Sequence, residues 1–183
     1  MKRILYLFAF LCIAIGANAQ HFTLWYGANY GTGVGNALEQ SGHNFQFANF
    51  GLDYTSKIEG NLDWTVGLGY NTKGGESRVG YLQLEGNAGY NVINDGLFKL
   101  AVLTGPFAAV KLNDNFMSEI IGNSPVENPY RKAVLGWQAG ISLSYKSVSL
   151  KFGYECPFTN MYKKEVHTNF QPHEWFARFG VKF

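Results

Sequence analysis

Apolar and polar residues alternate with a period of two through most of the chain beyond residue 20. In 22–31, Phe22, Leu24, Tyr26, Ala28 and Tyr30 share one face, opposite Thr23, Trp25, Gly27 and Asn29. Successive side chains of a strand point to opposite sides, so this pattern predicts a strand with two unlike faces. The same alternation returns over 46–56, 62–71, 79–92, 97–111, 132–145, 148–158 and 173–183. It is clearest in 62–71, where Leu62, Trp64, Val66, Leu68 and Tyr70 oppose Asp63, Thr65, Gly67, Gly69 and Asn71. The last stretch, HEWFARFGVKF, alternates without a fault: His173, Trp175, Ala177, Phe179, Val181 and Phe183 on one face, Glu174, Phe176, Arg178, Gly180 and Lys182 on the other. Pro106 is the one blemish, since proline cannot donate to a ladder; a bulge, or a position beyond the membrane rim, would accommodate it.

Eight strands of roughly ten residues follow, and their connections alternate in length. Those after the second, fourth and sixth strands are tight: 57–61, Asn94-Asp95-Gly96 and Lys146-Ser147. Those after the first, third, fifth and seventh are longer, the longest being 112–130. Long loops on one side and short turns on the other are the asymmetry of a membrane barrel, with the turns on the periplasmic side. The fold class expected is therefore all-β, an eight-stranded antiparallel up-and-down transmembrane β-barrel. A lipid-facing sheet can have no free edge, so the first strand must pair with the last.

Alternation alone leaves open which face points inward. A soluble lipocalin-like barrel would turn its apolar face in. Two features favour the inverse. The polar face is rich in glycine and small residues, which weaken a solvent-facing strand but suit a narrow lumen. The apolar face carries aromatics near the strand ends: Tyr54, Trp64, Tyr90, Phe98, Tyr145 and Phe183 toward the turns, Tyr30, Tyr70, Phe158 and Trp175 toward the loops. Two such rings are the girdles of a membrane barrel.

The chain opens MKRILYLFAFLCIAIGANAQ, with a basic start at Lys2 and Arg3, an apolar run and a small-x-small site at Ala17-Asn18-Ala19. This pattern is that of a secretory signal peptide, 1–19, leaving a single domain, 20–183. Removing Lys2 and Arg3 takes Lys+Arg from 15 to 13 against Asp+Glu 13, so the net charge of +2 belongs to the leader and nucleic acid is not an expected partner. Charged residues are only 15% of the chain, against about 25% in ordinary soluble domains. Beyond the leader, Cys156 is the sole cysteine, so no internal disulfide is expected; by parity it faces lipid.

Inward parity collects Asp53, Asp63, Glu85, Lys99, Lys151, Glu155, Glu174, Arg178 and Lys182. Strand direction places Asp53, Asp63, Lys99, Lys151 and Lys182 near the turns, Glu85, Glu155 and Arg178 nearer the middle, and Glu174 toward the loops. Charges in so narrow a lumen must pair or stay hydrated. A network centred on Arg178 with Glu85 and Glu155 is expected. It fills the barrel and fixes its register, or it lines a gated path for protons or small ions.

Other candidate chemistry is weaker. Glu165 with His167, and His173 with Glu174, offer a base and an orienting carboxylate, but no His-x-Ser motif accompanies them, and His21 and His43 stand apart. Gly31-Thr32-Gly33-Val34-Gly35 lacks the helix a nucleotide loop needs. Asn113-Asp114-Asn115 with Glu119 lacks the spacing of a calcium loop. No cofactor, metal or catalytic residue is expected. Phe116, Met117, Ile120 and Ile121 place apolar side chains on the longest loop, where they fold over the barrel mouth or meet a partner. Lys163-Lys164 with Arg131-Lys132 are suited to lipopolysaccharide phosphates or are solvated loop charges.

The final strand, with Trp175, Phe179, Val181 and terminal Phe183 on one face, resembles the last strand of bacterial outer-membrane β-barrels, which the assembly machinery reads. Together with the leader, the eight alternating strands and the loop asymmetry, it resembles the PorT-like family of Bacteroidetes, and more loosely the OmpX/OmpA-type barrels. The resemblance implies a monomeric, non-enzymatic protein of the cell outer membrane. Its implied partners are outer-membrane lipids, lipopolysaccharide and, during biogenesis, the barrel-assembly machinery. A structural or surface-interaction role is the first expectation. A narrow pore or transporter for small solutes, or an accessory part in protein secretion, is the alternative.

Overall fold

The computed structural model describes residues 21–31, 34–35, 45–73, 79–112, 119–121, 124–126, 130–162 and 170–183. The expected signal peptide, the apolar loop residues Phe116 and Met117, the basic pair Lys163-Lys164, and Glu165, His167 and His43 lie outside the described residues. The strands are β1 (His21–Gly31), β2 (Val34–Gly35), β3 (Phe45–Glu59), β4 (Leu62–Lys73), β5 (Val79–Asn94), β6 (Phe98–Lys111), β7 (Glu119–Ile121), β8 (Ser124–Val126), β9 (Ala133–Tyr145), β10 (Val148–Pro157), β11 (Phe170–Gln171) and β12 (Glu174–Lys182).

The eight long strands, β1, β3, β4, β5, β6, β9, β10 and β12, form one closed antiparallel barrel in chain order. β12 returns to β1 with Tyr26 opposite Phe179 and Gly27 opposite Arg178. The seam ends in two reciprocal backbone bonds, Phe22 N to Phe183 O at 3.0 Å and Phe183 N to Phe22 O at 2.9 Å. Closure leaves no barrel edge with unpaired backbone groups. Two short pairs, β7 with β8 and β2 with β11, lie outside the barrel sheet. The long connections, expected as plain loops, therefore carry strand pairing of their own.

Local chemistry sets the tight turns. Asp95 Oδ1 accepts from the backbone N–H of Leu97 (3.1 Å) and Phe98 (2.6 Å), and Gly96 takes φ +88°, a left-handed conformation natural to glycine. Pro106 needs neither a bulge nor a place outside the barrel. The β5–β6 ladder skips from Glu85 opposite Phe107 to Ala88 opposite Thr104 without changing register, and Pro106 faces Trp137 of β9 inside the ladder. The skip adjoins a close backbone approach: a Cβ on Gly105 would collide with the Gly86 carbonyl. Glycine at 105 thus admits the interruption that the proline requires.

The two faces are sorted as in no water-soluble barrel. Leu24 is 59% exposed, and Leu84, Val102, Ile141, Phe152 and Phe179 all lie on the outer surface. The inner face buries Asn29, Asn49, Asp53, Gln83, Glu85, Gln138, Glu155, Glu174 and Arg178. Polar and charged groups make up much of the interior, and apolar groups cover the outside.

Candidate functional site

The lumen is where the chain concentrates its chemistry. Each charge reaches it by strand parity, and three of the large inward side chains lie on glycines. A Cβ on Gly51 or Gly69 would stand 2.5 or 2.6 Å from the Trp25 ring, one on Gly136 2.5 Å from Phe107, and one on Gly153 2.5 Å from Phe176. Glycine weakens a strand, but here it clears the floor on which an aromatic ring rests.

Seven side chains run along the barrel in alternating sign. Asp53 pairs with Lys151, whose ammonium lies 3.9 Å from Glu85 Oε1. Arg178 Nη1 donates to both Glu85 oxygens at 2.8 Å, and its Nη2 donates to Glu155 Oε1 at 3.1 Å. Glu155 also pairs with Lys73, and Lys73 reaches Glu174 Oε2 at 3.3 Å. Asn29 Nδ2 donates to Glu174 Oε2 at 3.1 Å, and Gln83 Nε2 to Glu155 Oε1 at 2.8 Å. The Arg178 guanidinium also lies 4.4 Å from the ring centroids of both Trp25 and Phe176. Trp25 Nε1 in turn donates to Asp53 Oδ1 at 2.9 Å. Charges this deep are tolerable because each has an opposite charge beside it, and Asp53, Glu155 and Glu174 accept further hydrogen bonds from Trp25, Gln83 and Asn29.

Beyond this network, toward the loops, the inner wall turns apolar. Val79, Tyr81, Phe107, Ala109, Tyr130, Val134, Met161 and Tyr162 form one buried cluster. A bridge between Tyr130 and Tyr162 ties two loop ends across it, with rings stacked at 5.4 Å. Arg131 fastens the same bridge: its backbone N–H donates to Met161 O at 2.8 Å and its Nε to Tyr162 O at 2.9 Å. Arg131, expected as a rim charge for phosphates, is thus engaged with the backbone, while Lys132 is exposed.

Toward the turns the lumen opens into a cavity of about 50 Å³. Lys99, Lys151 and Lys182 line it with Asp53, Asp63, His21 and a set of serine and threonine hydroxyls. Lys99 pairs with Asp63, which also accepts from Asn91 Nδ2 at 3.0 Å. The nine charges expected inside therefore all point inward, and the structure gathers eight of them into two contact groups with Lys73 added: Lys99 with Asp63, and the chain from Asp53 to Glu174. Lys182 lines the cavity apart from either group.

Lys73 was missed by sequence reasoning, which ended its strand at Asn71. The strand runs on to Lys73 in the same parity, and its side chain is wholly buried. Continuing the count by two would have found it. The tyrosine bridge and its apolar cap were also missed, and no periodicity in the connections announces them.

The aromatics expected at the strand ends do sit on the outer face. Tyr54 packs on Phe22 (5.2 Å) and Trp64 (5.5 Å), and Phe22 on Phe183 (6.2 Å), an arc at the turn end. Phe98 stands opposite Tyr145 across β6 and β9, and Tyr90 is exposed nearby. At the loop end Tyr30 meets Phe45, Phe50 stacks on Tyr70, and Tyr154 lies 4.8 Å from Trp175. Phe158 follows β10 rather than ending it and is exposed. Trp175, Phe179, Val181 and Phe183 form an exposed outer stripe on the last strand.

His173 and Glu174, offered as a base with its carboxylate, point to opposite sides, as neighbours at a strand start must. His173 Nδ1 is 2.9 Å from Tyr154 Oη, whereas Glu174 is buried in the lumen against Asn29 and Lys73. Burial lowers the His173 pKa below the ordinary 6.5.

No protein-family model matches the chain, and no curated protein matches it; the PorT-like kinship has no family match behind it. Among solved structures it is similar to Ail, the attachment invasion locus protein of Yersinia pestis, at 12% identity over 91% of this chain and 100% of that one, with a TM-score of 0.50. It is also similar to Neisserial surface protein A, at 17% identity over 88% of this chain and 97% of that one, with a TM-score of 0.49. The N-terminal β-barrel domain of Pseudomonas aeruginosa OprF gives 10% identity, 89% and 97% coverage, and a TM-score of 0.48. Together with the closed, inside-out sheet, the likeness to Ail gives this chain the fold of the small eight-stranded outer-membrane β-barrels.

Proposed function

We propose that the protein is an integral outer-membrane barrel with a plugged lumen, acting as a structural or surface-interaction protein through its loop end. The observation that carries this reading is the inverted sorting of faces. A closed sheet with exposed Leu, Val, Phe and Trp outside and a buried charge network inside is stable only where lipid covers the outer wall. The leader at 1–19 would export the chain, and the stripe of Trp175, Phe179, Val181 and Phe183 would present it to the barrel-assembly machinery. The tight turns would face the periplasm, and Lys132 on the loop rim suits lipopolysaccharide phosphates. Closure of all eight strands within one chain favours a monomer.

The filled lumen weighs against the pore reading. From Lys151 to the tyrosine bridge, the inner wall is occupied by Arg178, Trp25, Phe176, Glu155, Lys73 and Phe107, with all but Lys151 at most 4% exposed. An accessory part in secretion, as for PorT-like proteins, has no residue of this chain to support it beyond the shared architecture.

Heat modifiability tests the reading. The chain beginning at Gln20, refolded in detergent, should migrate faster on a gel before boiling than after, with a β-rich circular dichroism spectrum. The folded protein should be silent in single-channel recordings from planar bilayers. A chain that is soluble without detergent and migrates alike both ways would overturn membrane insertion. Steady unitary conductance in the folded protein would overturn the plug and favour the pore.

A further inference from the structure

The charges of the lumen balance overall but not locally. The alternating chain from Asp53 to Glu174 holds three cations and four carboxylates, and Lys99 with Asp63 is a neutral pair. The compensating cation is Lys182, which stands at the turn-end mouth. It lines the same cavity as Lys99 and Lys151, and among the described residues no carboxylate lies within ion-pairing distance of it. Around the cavity, three lysines thus face two aspartates.

We infer that this turn-end cavity is a binding site for a single small oxyanion group, a carboxylate or a phosphate. Three features of the cavity fit such a group. Its volume of about 50 Å³ exceeds what one water needs, roughly 10–15 Å³ on the same kind of measure. Its donors are ammonium groups and hydroxyls: Ser142, Ser144 and Ser149 on β9 and β10 stand beside Lys151, and Thr23 lies directly opposite Lys182 in the seam. Its rim is partly exposed at Lys99, Lys151, Lys182 and His21, so the mouth opens on the side of the tight turns. The two lysines that already hold an aspartate are screened, and Lys182 is the cation with capacity to spare. Charge-assisted hydrogen bonds to an oxyanion are roughly twice as strong as neutral ones, which suits a ligand gripped by one free lysine and several hydroxyls. A plugged barrel with this vestibule would present an anion receptor to the compartment below it, not a route through the membrane.

The test is a titration of the folded protein in lipid nanodiscs with inorganic phosphate and, separately, acetate, read from the NMR signals of the lysine side chains. Sodium chloride at matched ionic strength is the control. Saturable shifts with phosphate or acetate, absent with chloride, are expected, and which probe saturates first identifies the anion class. Lys182→Gln should weaken binding about tenfold, the loss of one charge-assisted bond, and Lys182→Arg should largely retain it. Lys182 lies in the terminal strand and its replacement could impair folding, so Asp63→Asn on β4 gives an independent test. It removes a competing anion and frees Lys99, and binding should tighten severalfold. Shifts that stay linear and match those in chloride would overturn the site. So would unchanged affinity in folded Lys182→Gln, or unchanged or weaker affinity in Asp63→Asn.

Discussion

The two ends of the lumen solve the same problem differently. Both must house charges in a barrel only eight strands wide. At the loop end the solution is dry: Arg178, Glu85, Glu155, Lys73 and Glu174 are all buried, and an apolar cluster tied by Tyr130 and Tyr162 lies above them. At the turn end the solution is wet: Lys99 and Lys151 keep 23% and 14% of their side chains exposed, and a cavity lies among them. Ion pairs in the first region are held by mutual satisfaction, since an unpaired charge there has no water to turn to. In the second, water shares the work, and each pair is correspondingly weaker. Deep charges make a plug, and shallow ones leave room for a ligand.

The largest effect should come from cutting the dry network at its centre. Arg178→Met leaves Glu85 and Glu155 without their shared cation and should cost about 3–5 kcal/mol. Urea unfolding from detergent micelles or vesicles, with loss of the heat-resistant gel band, measures it. If the variant keeps full stability and merely gains conductance, the network is a gate rather than a plug.

Next comes a matched pair of glycines. Gly69→Ala at the Trp25 floor places a methyl 2.6 Å from the ring and 2.9 Å from the Phe50 carbonyl, where neither partner can yield easily. A cost of about 1–3 kcal/mol is expected. Gly89→Ala, which lines the wet cavity, meets nothing nearer than 3.9 Å and should stay within about 0.5 kcal/mol of the parent. Equal losses would mean that the two ends are packed alike.

How much of this could be read from the sequence differs between the two regions for a physical reason. Period-two parity is a local property, so the eight strands, both faces and the inward set of charges were legible, as was the wet end's makeup of Asp63, Lys99, Lys151 and Lys182. The dry end depends on pairings across the barrel. Arg178 meets Glu85 at a separation of 93 residues, and Lys73 meets Glu174 at 101. Parity says that such residues face inward, but register and strand length decide which of them touch. Lys73 escaped notice because its strand runs two residues into what reads as a glycine-rich turn. Tyr130 and Tyr162 escaped because they lie outside any periodic stretch, and their bridge forms only once the barrel brings two loops together. Trp25 and Phe176 were placed on the inner face, but nothing local shows that an arginine lies against both rings.

A smaller effect is expected from Lys99→Met at the wet end. The Asp63 it abandons still accepts from Asn91 and can be hydrated through the cavity, so the cost should be about 0–1 kcal/mol and should shrink further in high salt. A loss as large as that of Arg178→Met would erase the distinction between the ends.

The smallest expected effect lies outside the lumen and asks whether the loop end is sensitive to pH. His173 sits just before β12, its Nδ1 against Tyr154 Oη and its ring 5.7 Å from the Tyr154 ring. Burial lowers its pKa in the folded protein below 6.5, so the unfolded chain takes up the proton first as pH falls. Protonation therefore favours unfolding. The contribution of His173 is fully present above its unfolded value and declines as pH drops through 6.5 toward the lower folded value. His173 is only partly buried, which keeps the effect small. His173→Gln should remove this slope from the stability profile between neutral and mildly acidic pH. A profile with the same slope in parent and variant would assign the acid sensitivity to another group, and the dry cap would then be indifferent to His173.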